Sequence, residues 1–487
     1  MLWRHLIGYL PLNIAQAVAG FGGIFILTRL LTPEQFGLYS LVFSIVTITH
    51  SLAFTWIEAA VARTYVRAEA DQRLADHLAT AFHYLLIGTV IVGITGFIAI
   101  TALPFSAEMK TVLAYGLGSM LIRSFLILSL EARKAAREVK RYSIVEFFNV
   151  MASFGLGIAI VYTTDLKAAG PFAGLAISAS IALVFELPKM LVRAKGGKAS
   201  FGELKQFFAY GMPLSLSVIL GYILQAGDRF VISGVLGNAQ VGIYAAGYGT
   251  ANRGLDILFV WAGMAAGPLL IAALELGNPQ KARDMAKKAF GVMAFMTFPA
   301  ATGIALVAAP LANVMTGVEF REGAAAIIPW ITLAGLMNGI TTYYLLVAFT
   351  LSKHTRIMVL VTAVPAVLNI ALNFALLPIM GLMGAVVATI IAYSISMVMS
   401  AVIGRRHFVL PLPFAEAAKT GLACGLMAIA VLALPIPDDM ADFAKLLIMA
   451  GVGILVYGIA AFALNLADCR KIITAKFSNK SIIEAKS

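Results

Sequence analysis

Residues 225–256 read QAGDRFVISGVLGNAQVGIYAAGYGTANRGLD, and two features of this stretch decide how the chain is organised. Asp228, Arg229, Arg253 and Asp256 sit in segments otherwise long and apolar enough to cross a bilayer. An ionisable group there costs several kcal/mol unless it faces a polar cavity or a partner. The stretch also repeats the start of the chain. Gln240, Gly242 and Tyr244 match Gln35, Gly37 and Tyr39 at a constant offset of 205 residues, in the same apolar, turn, apolar setting. A buried polar site and an internal duplication are both announced.

Composition sets the solvent. With 61% hydrophobic residues, 12% charged and a mean hydropathy of +0.92, a soluble chain of 487 residues could not hide its apolar surface, whereas a bilayer accepts it. The fold class expected is an all-α polytopic membrane protein. An apolar run of about 20 residues spans the hydrocarbon core, and fourteen such runs are present. The first seven are Gly8 to Leu31, Leu38 to Ala60, Ala79 to Leu103, Thr111 to Leu130, Ser143 to Thr163, Gly170 to Val192 and Phe207 to Gly234. The second seven are Val241 to Ala273, Ala289 to Met315, Ala325 to Thr350, Ile357 to Leu377, Leu382 to Ile403, Ala418 to Leu434 and Leu446 to Leu466. The first run lacks an A-x-A-like cleavage site and reads as a retained helix. Cys424 and Cys469 have no metal or redox spacing.

Lys and Arg flanking membrane spans are held on the cytoplasmic side. Starting the N-terminus inside places 28 of the 36 basic residues on that side, beginning with Arg4 and including Arg133, Arg137, Lys140, Lys189, Lys353 and Arg356, and ending in the tail with Lys471, Lys476, Lys480 and Lys486. Only Lys110, Lys167, Arg321 and Lys445 fall clearly in outer loops. Both termini are therefore expected in the cytoplasm. The same asymmetry accounts for the net charge of +12 as a collar against anionic lipid headgroups, with no need of nucleic acid.

The duplication extends further. Residues 76–82, DHLATAF, parallel residues 284–290, DMAKKAF, at an offset of 208, and AGLAISAS from Ala173 lines up loosely with MGAVVATI from Met383. A six-helix repeat separated by an even number of spans implies lobes of like orientation, related by a pseudo-two-fold along the membrane normal. The domains expected are an N-terminal lobe over 1–202, a C-terminal lobe over 203–404, and an extra helix pair with a basic cytoplasmic tail over 405–487. Chance matching among apolar helices is the alternative.

The stretch FILTRLLTPEQFGLYSLVFSI, residues 25–45, resembles the opening of bacterial polysaccharide-export flippases, the Wzx-type branch of the multidrug/oligosaccharidyl-lipid/polysaccharide exporter superfamily. An Asp in the seventh span before a Gly-x-Tyr opening the eighth, here Asp228 and then Gly242, Ile243 and Tyr244, fits the same family. The resemblance covers the full length. It implies two six-helix bundles forming a V around a central cavity lined chiefly by spans 1, 2, 7 and 8. It also implies transfer of an undecaprenyl-diphosphate-linked oligosaccharide from the cytoplasmic to the periplasmic leaflet. Span 1 lacks the central basic residues of the related lipid II flippases, which weighs against a peptidoglycan precursor.

A lipid-linked sugar carries a diphosphate and many hydroxyls, so its path needs fixed cations and hydrogen-bonding groups at membrane depth. Arginine suits phosphate because its planar guanidinium bonds bidentately and stays charged. Arg123 lies near the middle of span 4, and Arg253 is about 18 Å into span 8 at 1.5 Å per residue. The competing reading is that a neighbour neutralises each one: Arg253 and Asp256 share a helix face and could pair. Asp228 and Arg229 point in different directions and serve either substrate contact or helix locking. Under the 205-residue offset Arg253 maps onto Ile48, close to His50, which is a packing group or a proton relay. Asn13 and Gln16 in span 1, with Asn149, Gln225, Asn252, Asn369 and Asn373, suit sugar hydroxyls or ordinary helix association. Glu58 and Glu186 are expected as interfacial anchors.

No catalytic residues, metal ligands or cofactors are expected. The outer loops around Pro435 to Lys445, including Asp438, and around Gly317 to Ala324 are short, and no Walker A, HExxH or GxSxG pattern occurs. A membrane polysaccharide polymerase therefore has nowhere to hold its chemistry. A cation-coupled multidrug exporter of the same superfamily is the closer rival, though twelve spans would be usual there. The partners expected are the lipid-linked oligosaccharide, membrane lipids and other polysaccharide-assembly membrane proteins. Proton or sodium coupling through Asp228, Asp256 and His50 is an open expectation.

Overall fold

In a computed structural model the described residues are 2–275, 279–352, 354–437 and 439–470, the side chains of 2–10, 264–275, 279, 355 and 356 excepted. Lys353, Asp438, Lys471, Lys476, Lys480 and Lys486, and the side chains of Arg4 and Arg356, lie outside them. Every regular element among the described residues is helical. Among the described residues, thirteen helices are long and apolar enough to cross a membrane. The remaining expected span, Val241 to Ala273, falls in a continuous helix whose first half carries Asn252, Arg253 and Asp256 and is less apolar. The chain is an all-α polytopic membrane protein.

The helices in chain order are α1 (Leu2–Leu30), α2 (Pro33–Ala53), α3 (Thr55–Ala70), α4 (Leu74–Ala102), α5 (Ala107–Ala135), α6 (Val139–Thr163), α7 (Gly170–Ala194), α8 (Phe201–Ala226) and α9 (Asp228–Leu236). They continue with α10 (Asn238–Glu275), α11 (Pro279–Leu306), α12 (Ala308–Met315), α13 (Arg321–Ile340), α14 (Val347–Leu351), α15 (Thr355–Met380), α16 (Leu382–Arg405), α17 (Phe414–Leu432) and α18 (Asp442–Ala463). All fourteen apolar runs are helical, and four of them are broken or locally widened. Span 2 divides at Phe54 into α2 and the polar α3, span 7 divides at Gly227 into α8 and α9, and span 9 divides at Val307 into α11 and α12. Span 10 carries a π-helical segment, Thr341–Leu345, between α13 and α14.

Local chemistry explains where α2 and α10 begin. Thr32 caps α2: its hydroxyl accepts from the Gln35 amide and its own amide donates to the Gln35 side chain, both at 3.3 Å. Pro33 follows in the first turn, where a missing N–H costs nothing. The second copy replaces Thr32 by Gly237, whose φ of +87° is a region that glycine enters without strain. The repeated Gln therefore serves a cap in one copy and not in the other.

The chain forms two compact units, Met1–Ala245 with Asn373–Pro378, and Ala246–Leu372 with Ile379–Ser487. In the first, Phe54, Ile57, Tyr65, Leu78, Leu128, Met190 and Phe207 form a buried cluster joining α3, α4, α5, α7 and α8. A second cluster joins α2, α5 and α7 through Leu38, Val42, Leu113 and Phe172. In the second unit, Leu255, Phe259, Phe290, Met293 and Tyr344 pack α10, α11 and the π segment. There too α17 and α18 bury Cys424, Met427 and Tyr457 against each other.

Candidate functional site

The ionisable side chains at membrane depth are taken unit by unit. In the first unit, Arg123 on α5 meets Glu146 on α6 at 3.5 Å. Glu146 also accepts from Asn149 at 3.4 Å, and Asn149 accepts from the Ser178 hydroxyl of α7 at 3.1 Å. The Arg123 charge is thus matched by a carboxylate, and only its Nε is buried without a hydrogen bond among the described residues. A carboxylate neighbour of the kind weighed in the sequence is therefore present. The neighbour is on another helix.

Asp228 opens α9 immediately after the break at Gly227 and is 1% exposed. It accepts from the Arg229 backbone amide at 2.8 Å and from the hydroxyl of Tyr244 on α10. The Asp in span 7 and the Tyr of the Gly-x-Tyr turn are therefore bonded partners. Arg229 turns the other way, as adjacent residues must, and donates to the Ser44 hydroxyl of α2 at 3.2 Å. Its Nε has no hydrogen bond among the described residues, so one guanidinium nitrogen of this half-buried cation is held and another is not.

His50 lies in the last turn of α2, and its Nε2 is 3.1 Å from a Glu58 carboxylate oxygen one turn into α3. The break at Phe54 folds the chain so that residues eight apart meet. Phe54 itself is fully buried beside the imidazole, ring centroids 5.6 Å apart. Glu58 was expected as an interfacial anchor but is buried because α2 does not continue straight through it. Asn13 and Gln16 lie one turn apart on an exposed face of α1, each directly after a buried residue, Leu12 and Ala15.

In the second unit, Arg253 and Asp256 stand on the exposed face of α10, and the Arg253 charge acts on the Asp256 carboxylate. Asp256 in turn acts on Tyr343, which the π segment presents against Phe259 in a stack at 5.8 Å. Single-turn π-bulges occur frequently at functional sites, and nothing in the apolar pattern of span 10 signalled this one. Asn252, beside Arg253, has a buried amide oxygen with no hydrogen bond among the described residues. Gly335 on α13 makes room for it, since a Cβ there would lie 2.0 Å from that oxygen.

Other polar residues serve helix association. Asn369 donates to Thr389 at 3.4 Å, tying α15 to α16. Glu186, the second expected anchor, is 1% exposed and accepts from Arg133 and, at 2.6 Å, from Arg141. Arg133 also donates to Glu138, which accepts from Arg193 as well. Burial pushes the Glu138 carboxyl up, but the hydrogen bonds and charges of Arg193 and Arg133 outweigh it and hold the group below the usual glutamate range. The sequence showed these cations only as a basic collar; their carboxylate partners, Glu138 just before α6 and Glu186 on α7, were not apparent. No group of three or more His, Cys, Asp or Glu that could hold a metal ion occurs among the described residues.

Residues 26–327 match the family described as Polysaccharide biosynthesis protein. No curated protein matches the chain. Among solved structures it is similar to the lipid II flippase MurJ in an inward closed conformation, at 14% identity and a TM-score of 0.77, covering 96% of this chain and 100% of that one. It is similar also to an inward-facing multidrug resistance MATE family transporter of the MOP superfamily, at 17% identity and a TM-score of 0.64, covering 81% of this chain and 94% of that one. A MOP superfamily transporter from Pyrococcus furiosus is similar at 15% identity and a TM-score of 0.56, covering 83% of this chain and 93% of that one. At these identities the likeness is one of fold. It is a fold that a flippase and multidrug transporters share.

Proposed function

The chain belongs to the polysaccharide biosynthesis protein family, and from that premise we propose that it flips an undecaprenyl-diphosphate-linked oligosaccharide from the cytoplasmic to the periplasmic leaflet. The observation that carries this reading is the set of charged side chains on α5, α9 and α10, in a chain most of whose helices are apolar enough to cross a membrane. Asp228, Arg229 and Arg123 are fixed there by named partners, and Arg253 and Asp256 stand on an exposed face of α10. A diphosphate needs cations at membrane depth, and sugar hydroxyls need groups such as Asn252, Asn13 and Gln16.

In this reading the chain lies in the bacterial inner membrane with both termini in the cytoplasm, and two lobes give alternating access to the polar groups. Arg253 contacts the diphosphate from the exposed face of α10. His50 with Glu58 and Asp256 are the groups through which a proton or sodium gradient would be coupled. The related MATE fold keeps a cation-coupled exporter as the second reading, against which α17 and α18 stand as helices beyond a twelve-helix plan.

The test is a deletion strain. Flippase function predicts that lipid-linked oligosaccharide accumulates on the inner leaflet and that surface polysaccharide returns with the wild-type gene. Drug sensitivity with normal surface polysaccharide would overturn the proposal in favour of the exporter.

A further inference from the structure

We propose that a groove between α6 and α7 in the first unit binds an anionic phospholipid of the surrounding bilayer, as a resident lipid distinct from any transported one. The groove has a volume of about 1650 Å³, larger than the roughly 300–1,000 Å³ of pockets that hold drug-sized ligands. Pro11 of α1 closes one side and the α5–α6 connection forms the mouth. Ile144 and Phe148 of α6, with Ile181 and Phe185 of α7, form apolar walls, and all four are substantially exposed. In a membrane-spanning chain such side chains meet acyl tails.

The mouth has the opposite character. Arg137, Lys140, Arg141 and Lys189 line it together with Glu138 and Glu186. Both carboxylates are already taken: Glu186 by Arg133 and Arg141, and Glu138 by Arg133 and Arg193. Arg137, Lys140 and Lys189 are exposed and make no ion pair among the described residues. What remains at the mouth is therefore a cluster of three cations beside an apolar slot. Arg137 holds a φ of +61° at the end of α5, a position where glycine is the usual residue.

An independent observation points inward. The Ser143 hydroxyl lines the same groove, the residue is 6% exposed, and the oxygen has no hydrogen-bond partner among the described residues. A buried donor left unmet is costly, and a phosphate or ester oxygen at the mouth would meet it. Cationic pockets between membrane helices, with apolar walls below, are the chemistry by which anionic headgroups are recognised. The charge at the mouth selects the anionic headgroup, and the open apolar walls admit its two tails from the lipid phase.

The test is native mass spectrometry of the full chain in detergent, with phosphatidylglycerol or phosphatidylethanolamine of matched acyl chains added. Phosphatidylglycerol is expected to be retained in preference. The triple variant Arg137→Gln, Lys140→Gln, Lys189→Gln should weaken its retention by roughly tenfold or more and leave phosphatidylethanolamine unchanged. These side chains are exposed, so the fold does not depend on them. Ile181→Trp, an exposed wall position, should reduce both lipids by filling the slot. Equal retention of the two lipids by the wild type, or unchanged phosphatidylglycerol retention in the triple variant, overturns the proposal. So does displacement of phosphatidylglycerol by equimolar undecaprenyl diphosphate, which would assign the groove to a transported prenyl lipid.

Discussion

Gly37 and Gly242, equivalent positions of the internal repeat, pack backbone to backbone. A Cβ at Gly37 would lie 1.8 Å from the Asn238 carbonyl oxygen and 2.8 Å from the Gly242 amide nitrogen; a Cβ at Gly242 would lie 2.0 Å from the Pro33 carbonyl oxygen and 3.0 Å from the Gly37 amide nitrogen. The repeated glycine is thus a contact surface between the first turns of α2 and α10. Backbone cannot yield as a side-chain tip can, so Gly37→Ala and Gly242→Ala should each destabilise the protein by about 1–3 kcal/mol. Thermal unfolding in detergent measures this, and unchanged melting of both variants would show that the two turns do not touch.

The bond from Tyr244 to Asp228 lies where both groups are buried. Tyr244→Phe removes a donor from a carboxylate at membrane depth and should cost about 1–3 kcal/mol. Because the two residues share one bond, Asp228→Ala with Tyr244→Phe should cost less than the sum of the single changes. A double-mutant cycle reads this directly; additive costs would mean the bond is absent.

Glu186 is the hub of the α5–α6–α7 network, and Arg133 beside it is buried. Glu186→Ala leaves a buried guanidinium without one of its carboxylates, and breaking a buried pair in this way costs about 3–5 kcal/mol. Loss of purified, folded protein or a large fall in melting temperature is expected. Glu416→Ala, whose carboxylate contacts only the exposed Lys419 at 3.9 Å, should be nearly silent.

Glu138 supplies a pH dependence. Despite its burial, Arg193 and Arg133 hold its carboxyl below the usual range in the folded chain. The unfolded chain then binds more protons, so this contribution to stability is complete above the unfolded value and is lost as pH falls through the folded one. Melting temperature of the wild type should therefore fall more steeply below the ordinary glutamate range than that of Glu138→Gln. Parallel acid profiles would show that the carboxyl titrates normally.

Arg253 is the cation on which the flippase reading leans. A hydrogen bond to a charged group contributes about 1.5–3 kcal/mol, so Arg253→Ala should lower export by roughly tenfold or more, with Arg253→Lys intermediate because a point charge cannot bond bidentately. Surface polysaccharide per unit of inserted protein is the measurement. Wild-type export by a folded Ala variant would remove Arg253 from the path.

Much of this protein was legible in its sequence because membrane residence is a local property. Twenty apolar residues in a row will span a bilayer whatever their neighbours are, and all fourteen runs are helical. The match of Gln35, Gly37 and Tyr39 to Gln240, Gly242 and Tyr244 was equally visible, and so were the charges of Asp228, Arg229, Arg253 and Asp256 in apolar surroundings. The breaks at Phe54 and Gly227 and the π segment at Thr341–Leu345 were not, since hydropathy reports how apolar a segment is and not where its backbone breaks. The burial of Glu58 and Glu186 was missed because their partners, His50 for the one and Arg133 and Arg141 for the other, are brought to them by packing.

What only the tertiary structure decided is which groups meet. Arg123 is matched by Glu146, Arg229 by Ser44, Arg133 by Glu186 and Gly37 by Gly242, and each pair joins different helices. Hydropathy sums over neighbours along the chain and so fixes which segments enter the membrane. A buried charge is stabilised by whatever lies opposite it within a few ångströms, and in a helical bundle that group stands far away in the sequence.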